Sequence, residues 1–195
     1  MIEKNLVRCP WVPKNDALYT EYHDKEWGTP VYDDQEIFEF LTLEIFQAGL
    51  SWRTVLYKRE NFRKAFLNFD VKKVAEFSEK EVTRLMADAG IIRNQLKIRA
   101  TINNARRFLE VQKEFGLPNG FSKYMWSFVN GAPIDGKIKT IKDYPEYTKE
   151  ALAFSKDLKK RGFKFLGPKV VYAHMQATGM VLDHSVDCFR YKKLM

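Results

Sequence analysis

Cysteine, histidine and long apolar runs are all scarce in this chain of 195 residues. It holds two cysteines, Cys9 and Cys188, and three histidines, His23, His174 and His184. Cysteines near opposite ends cannot build the dense disulfide framework of a small secreted scaffold, which leaves a free pair, a metal-bound pair or one lone disulfide. No apolar stretch approaches the ~20 residues that cross a bilayer. The opening "MIEKNLVRCPW" also lacks the apolar core of a signal peptide, so a cytoplasmic protein without a membrane partner is expected. Fixed-period repeats are missing, and so is convincing strand alternation.

What is present supports a dense core: 45% hydrophobic residues, with aromatics at 14%. That length fits a single domain over 1–195, built as two helical lobes. Lys and Arg number 33 against 25 Asp and Glu, giving a net charge of +8. Such an excess favours a polyanionic partner, nucleic acid foremost. The charge falls in local groups, "YKRENFRK", "GIIRNQLKIRATINNARR" and "DLKKRGFKF", interleaved with apolar residues. Folded basic faces are therefore expected in place of a disordered arm.

Start and stop signals predict a succession of short helices. Asp16 caps one carrying Leu18, Tyr19, Tyr22 and His23, ending before "GTP". The run "DDQEIFEFLTLEIFQAG" opens on capping aspartates, spaces Ile37, Phe38, Leu41, Ile45 and Ala48 at helical intervals, and stops at Gly49. A helix restarts from Ser51; Asp70 and the capping box from Ser78 to Glu81 open two more. A long amphipathic segment reaches about Phe115, and a compact helix follows from Ser122. Residues 130–147 read as a loose connection before helices at "TKEALAFSKDLKKRG" and "KVVYAHMQATG".

Three constellations could carry chemistry. In "LDHSVDC", His184 and Cys188 stand one helical turn apart, and with Cys9 and His23 they make a Cys2His2 inventory. Either these four hold a structural zinc joining the chain ends, or they are unrelated buried residues. His174 reads as a packed or surface histidine. Glu44 sits at the edge of an apolar helical stripe, as either a boundary residue in water or an acid facing a pocket. If Tyr19, Tyr22 and Trp52 converge on it, the cleft suits a flat, cationic, electron-poor ring. The third constellation is the turn around Gly162 to Lys169. There Gly167, Pro168, Lys164 and Lys169 would present helix N-terminal amides and ammonium groups to phosphate.

The runs "YHDKEWGTP", "LEIFQAGLSWRTVLYKRENFRKAF", "DAGIIRN", "MWSFVNG", "FSKDLKKRGFKFLGP" and "HMQATGMVLDHSVDC" together resemble the 3-methyladenine DNA glycosylase I family, in order and over nearly the whole chain. The resemblance implies an all-α helix–hairpin–helix glycosylase in which a structural zinc, held by Cys9, His23, His184 and Cys188, joins the N- and C-terminal segments. It implies that Glu44 is the acidic catalytic residue of a base pocket shared with Tyr19, Tyr22 and Trp52. Gly49 and Leu50 become the plug for the vacated base stack, and Lys164, Gly167 and Lys169 belong to a phosphate-holding hairpin. The implied reaction is base excision repair: hydrolysis of the N-glycosidic bond of 3-methyladenine in double-stranded DNA, by a monomer. Asp183 lies where related glycosylases carry a catalytic aspartate, but next to a proposed ligand that it could merely orient. A non-enzymatic DNA-binding helical module and a zinc hydrolase are the competing readings.

Overall fold

The helix Asp34–Gln47 (α2) organises the molecule, because it is apolar nearly all the way round and so must be surrounded. In this computed structural model, which describes residues 6–195, every residue of α2 from Ile37 to Phe46 is buried. Gln95–Phe115 (α7), Gly120–Ser127 (α8) and Pro168–Ala177 (α10) pack against it. Ala17–Lys25 (α1) leads into it, and Trp52–Leu56 (α3) and Arg59–Ala65 (α4) follow it. Val71–Ala75 (α5) and Glu79–Ala87 (α6) lie on α7, Lys149–Lys160 (α9) lies on α10, and Phe189–Leu194 (α11) closes the chain. Among the described residues no helix is long and apolar enough to cross a membrane.

Most helix starts fall where the caps predicted them. Asp16 accepts from the Tyr19 amide, and Ser78 and Glu81 form the reciprocal box at the head of α6. The two aspartates before α2 divide their work. Asp33 caps α2, while Asp34 reaches away to accept from the Phe121 and Ser122 amides at 3.1 and 2.7 Å, capping α8 from across the fold. That explains why α8 starts at Gly120, ahead of the expected Ser122. A Cβ at Gly120 would stand 2.3 Å from the Gln112 carbonyl of α7, so only glycine permits this approach.

One expectation is sharpened and two are corrected. The helix restarting at Ser51 is short: it breaks at Tyr57–Lys58 into α3 and α4, and the chain then turns through Leu67, Asn68 and Phe69, all with positive φ. The connection 130–147 is stitched down rather than loose. Ile134–Asp135 (β1) pairs in parallel with Val181–Leu182 (β2), and the Val186 amide donates to the Ile138 carbonyl at 2.8 Å. The all-α reading thus acquires this two-residue bridge. Finally, His184 and Cys188 do not share a helix. They lie on a tight turn after β2, closed by the Cys188 amide on the Ser185 carbonyl at 2.7 Å, and Cys188 is the N-cap of α11.

Candidate functional site

The turn brings the scarce residues together all the same. Cys9 from the N-terminal loop, His23 from α1, and His184 and Cys188 from the C-terminal turn are all buried, with their donor atoms within 4.8 Å of one another. Cys9 Sγ lies 3.4 Å from His184 Nδ1, and Cys188 Sγ lies 3.5 Å from His23 Nε2 and 3.7 Å from His184 Nδ1. Bond lengths of about 2.3 Å to sulfur and about 2.0 Å to nitrogen put tetrahedral donors roughly 3.6 Å apart. The four groups therefore have the spacing of a shell around a zinc-sized cation.

Surrounding hydrogen bonds aim the donors inward. His184 Nε2 faces the Trp27 carbonyl at 2.9 Å, which places the proton there and leaves the Nδ1 lone pair toward the thiols. His23 Nδ1 faces Asp24 at 2.8 Å, and Arg8 holds that carboxylate from its other side, leaving His23 Nε2 free to ligate. The Ser185 and Arg190 amides donate to Cys9 and Cys188 sulfur. Cys188 carries the thiolate most readily: hydrogen bonds from the Cys9 thiol and the Arg190 amide pull its thiol far below the usual range.

A cavity of about 310 Å³ opens beside this cluster, lined by Trp11, Tyr19, Tyr22, Trp27, Glu44, Trp52, Tyr144 and Gln176. Trp11 links the two sites, with ring centroids 5.2 Å from His23, 4.8 Å from Trp27 and 5.9 Å from Tyr19. Tyr22 and Trp52 lie 5.0 Å apart in a tilted pair. Glu44 is 4% exposed, so it is not a boundary residue. No described protein group hydrogen-bonds its Oε2 or the indole Nε1 of Trp52. Burial alone pushes the Glu44 carboxyl up to about 8. Burial, followed by the Glu44 charge, holds the Tyr22 hydroxyl well above its ordinary value. An acid and an indole N–H left without partners in an aromatic cleft are donors and acceptors awaiting a polar ligand.

Gly49 and Leu50 lie just beyond the end of α2. Gly49 takes φ +82 with open space around it, and Leu50 is 44% exposed, a large apolar side chain standing in solvent. At the turn between α9 and α10, Gly167 is an N-cap with no side-chain cap and Pro168 brings no N–H, so the Lys169 and Val170 amides point outward. Lys164 is exposed, its backbone pinned by Asn104 at 2.8 and 2.9 Å. Lys169 is engaged with Glu146 and is not a free cation.

Some of the other basic groups are spent on carboxylates or buried. Arg59 and Arg63 bind Glu39, Glu26 and Glu60; Arg99 binds Glu79; and Lys97 is buried. The groups "YKRENFRK" and "GIIRNQLKIRATINNARR" still keep Lys64, Arg93 and Arg106 exposed without ion pairs among the described residues. The group "DLKKRGFKF" keeps Lys159, Lys160 and Lys164 exposed and without ion pairs among the described residues, so the α9–α10 turn carries accessible positive charge.

Comparison with known proteins fits these observations. The methyladenine glycosylase family model matches residues 11–191. The chain belongs to the methyladenine glycosylase family. It is 50% identical to DNA-3-methyladenine glycosylase 1 of Escherichia coli K12, over 95% of this chain and 97% of that one. It is 45% identical to DNA-3-methyladenine glycosylase of Haemophilus influenzae, over 93% and 96%. A crystal structure of 3-methyladenine DNA glycosylase I superposes with a TM-score of 0.89 at 45% identity, covering 94% of this chain and 98% of that one. The 3-methyladenine DNA glycosylase I of Staphylococcus aureus, solved for the structural basis of 3-methyladenine recognition, superposes at 0.86 and 39% identity, over 90% and 92%.

In this family member the cavity has walls that sequence reasoning missed. Trp11, Trp27, Tyr144 and Gln176 come from four separate elements or loops, so no local spacing announces them. Asp183 is buried, with its carboxylate bound by Tyr172 and by Gln176 at 2.8 Å. Its carboxylate orients the cavity wall through Gln176; no hydrogen bond runs from it to His184.

Proposed function

We propose that the protein is a monofunctional DNA-3-methyladenine glycosylase, hydrolysing the N-glycosidic bond of 3-methyladenine in alkylated double-stranded DNA and leaving an abasic site. The observation carrying this is the buried, unpartnered Glu44 carboxyl beside the unpartnered Trp52 N–H in an aromatic cavity. Methylation at N3 makes the adenine ring cationic, and a cation favours the ionised form of Glu44 and the faces of Trp52 and Tyr22. Ordinary adenine is neutral and leaves the buried acid uncompensated, so discrimination is electrostatic. The damaged nucleotide must be extruded to reach the cavity, with Leu50 filling the gap in the stack.

The leaving group needs little activation. Water attacks C1′ of the sugar, the C1′–N9 bonding pair passes to the ring and cancels its positive charge, and the water's second proton goes to solvent. The products are neutral 3-methyladenine and an abasic deoxyribose. Cys9, His23, His184 and Cys188 suit a zinc ion, and four protein donors leave no coordination position for water, so its role is structural. It would fasten the C-terminal turn to α1, the helix of Tyr19 and Tyr22.

The turn between α9 and α10 is read as a helix–hairpin–helix element holding phosphates through its outward amides and Lys164. The chain is read as one domain acting as a cytoplasmic monomer. The cavity is complete within one chain and two thiols suit a reducing compartment. A DNA-binding module without chemistry has no use for a buried acid in an aromatic cleft. The deciding measurement is chromatography of bases released from alkylated duplex DNA. Free 3-methyladenine is expected, and its absence overturns the reading.

A further inference from the structure

Lys97 stands in a run that reads as surface charge, yet its side chain is buried, 6% exposed, as the third residue of α7. Its ammonium has no carboxylate partner among the described residues. Nζ instead donates to two backbone carbonyls at the end of α2, Phe46 at 2.9 Å and Ala48 at 2.6 Å. The last carbonyls of a helix lack intrahelical partners and carry the negative end of its dipole, so a cation is well matched there. Burial pulls the lysine's pKa below its ordinary value, a cost that the carbonyls offset only if both bonds are kept.

The clamped peptides lie between the two halves of the candidate site. Glu44 lies two and four residues before them, and Gly49 and Leu50 follow directly, the Leu50 amide closing onto the Gln47 carbonyl at 2.6 Å. Ser51 then caps α3 and delivers Trp52 to the cavity. Gly49, with positive φ and nothing within 4 Å of a notional Cβ, supplies no rigidity of its own. Burial is the only cause acting on Glu44's carboxyl, so the ammonium does not work by tuning that acid.

We propose that Lys97 is a positioning residue for action on duplex DNA: from α7 it fixes the exit of α2 so that Leu50 projects as a stiff wedge in register with the base cavity. This rests on the glycosylase reading above. A wedge that swings gives up the insertion that holds a flipped nucleotide out, while a base that is already unstacked needs no wedge.

Lys97→Met removes the donors and keeps the stem, and Lys97→Arg restores a cation. Each is compared with the unaltered protein and with Leu50→Ala on alkylated duplex DNA and on alkylated single strands, after circular dichroism has confirmed folding. Lys97→Met is expected to lower kcat/KM on duplex DNA on the order of tenfold to hundredfold, the scale of an ångström misplacement. Single-strand excision should stay within about twofold, its pH profile should be unmoved, and Lys97→Arg should recover most of the loss. In a Leu50→Ala background the same change should cost little more, because both act on one step. If Lys97→Met does not fold, Lys97→Gln carries the same comparison. An equal loss on both substrates, or none, overturns the positioning role. Failure of the unaltered protein to release 3-methyladenine from either substrate overturns the underlying reading instead.

Discussion

His184 Nε2 and the Trp27 carbonyl oxygen stand 2.9 Å apart, and this one hydrogen bond ties the Cys2His2 cluster to the wall of the aromatic cavity. The imidazole that offers Nδ1 to the cluster is oriented by the backbone of a cavity residue, and Trp11 spans both sites by edge contacts. Disturbing the cluster must therefore move the cavity walls.

Cys188→Ala removes one of four donors and the N-cap of α11. If the cluster holds zinc, metal analysis should show its loss and thermal unfolding should drop by roughly 10 °C, since several kcal/mol of binding energy is folding energy. Full zinc at unaltered stability would refute the ligand set. Asp24→Asn is the milder companion, because Asp24 is not itself one of the four donors but orients His23 and pairs with Arg8. It should weaken zinc affinity about tenfold to hundredfold while leaving the metal bound under excess zinc.

Glu44→Gln keeps the shape of the side chain and removes its charge. Release of 3-methyladenine from duplex DNA is expected to fall on the order of a hundredfold, as for the loss of a charge-assisted contact in a dry site, with circular dichroism unchanged. Unchanged turnover would strip Glu44 of its role.

The pH dependence follows from the same carboxyl. Burial holds it at about 8, so near neutrality the free protein keeps Glu44 mostly protonated. A cationic base favours the ionised form, so kcat/KM should climb with pH to about 8 and level off above it, and Glu44→Gln should flatten this limb. Stability has the opposite sense. The folded pKa lies above the unfolded value of 4.5, so the stabilising contribution is fully present below that value and lost as pH rises through about 8. Glu44→Gln should accordingly melt a few degrees higher than the unaltered protein at alkaline pH and show no such gain in acid.

Legibility tracked how local each signal was. Capping residues, the stop at Gly49 and the scarcity of Cys and His could be read directly, and the resemblance aligned them with a family the comparisons bear out. The geometry of His184 and Cys188 was misread because a spacing of four is shared by helices and by tight turns; only the pairing of β1 with β2 selects the turn. Glu44 was legible as an oddity, but its burial depends on Tyr22 and Trp52 arriving from other elements. Trp11, Gln176 and Lys97 were silent because their partners lie far along the chain, and a lysine within a basic run gives no sign that it points inward.

The α9–α10 turn separates free from spent charge, which makes its two lysines a matched comparison. Lys164 is exposed with no ion pair among the described residues, while Lys169 is held by Glu146. If the turn holds phosphate, Lys164→Ala should weaken binding to any duplex sequence and reduce the slope of log affinity against log salt by about one. Lys169→Ala should change that slope by less, because Glu146 already neutralises its ammonium, which therefore displaces few counterions from DNA. Neither should affect excision of 3-methyladenine once DNA is saturating, since the cavity at Glu44 is lined by other residues. Fluorescence anisotropy across a salt series reads the slopes, and equal slopes for all three proteins would move the phosphate contact away from this turn.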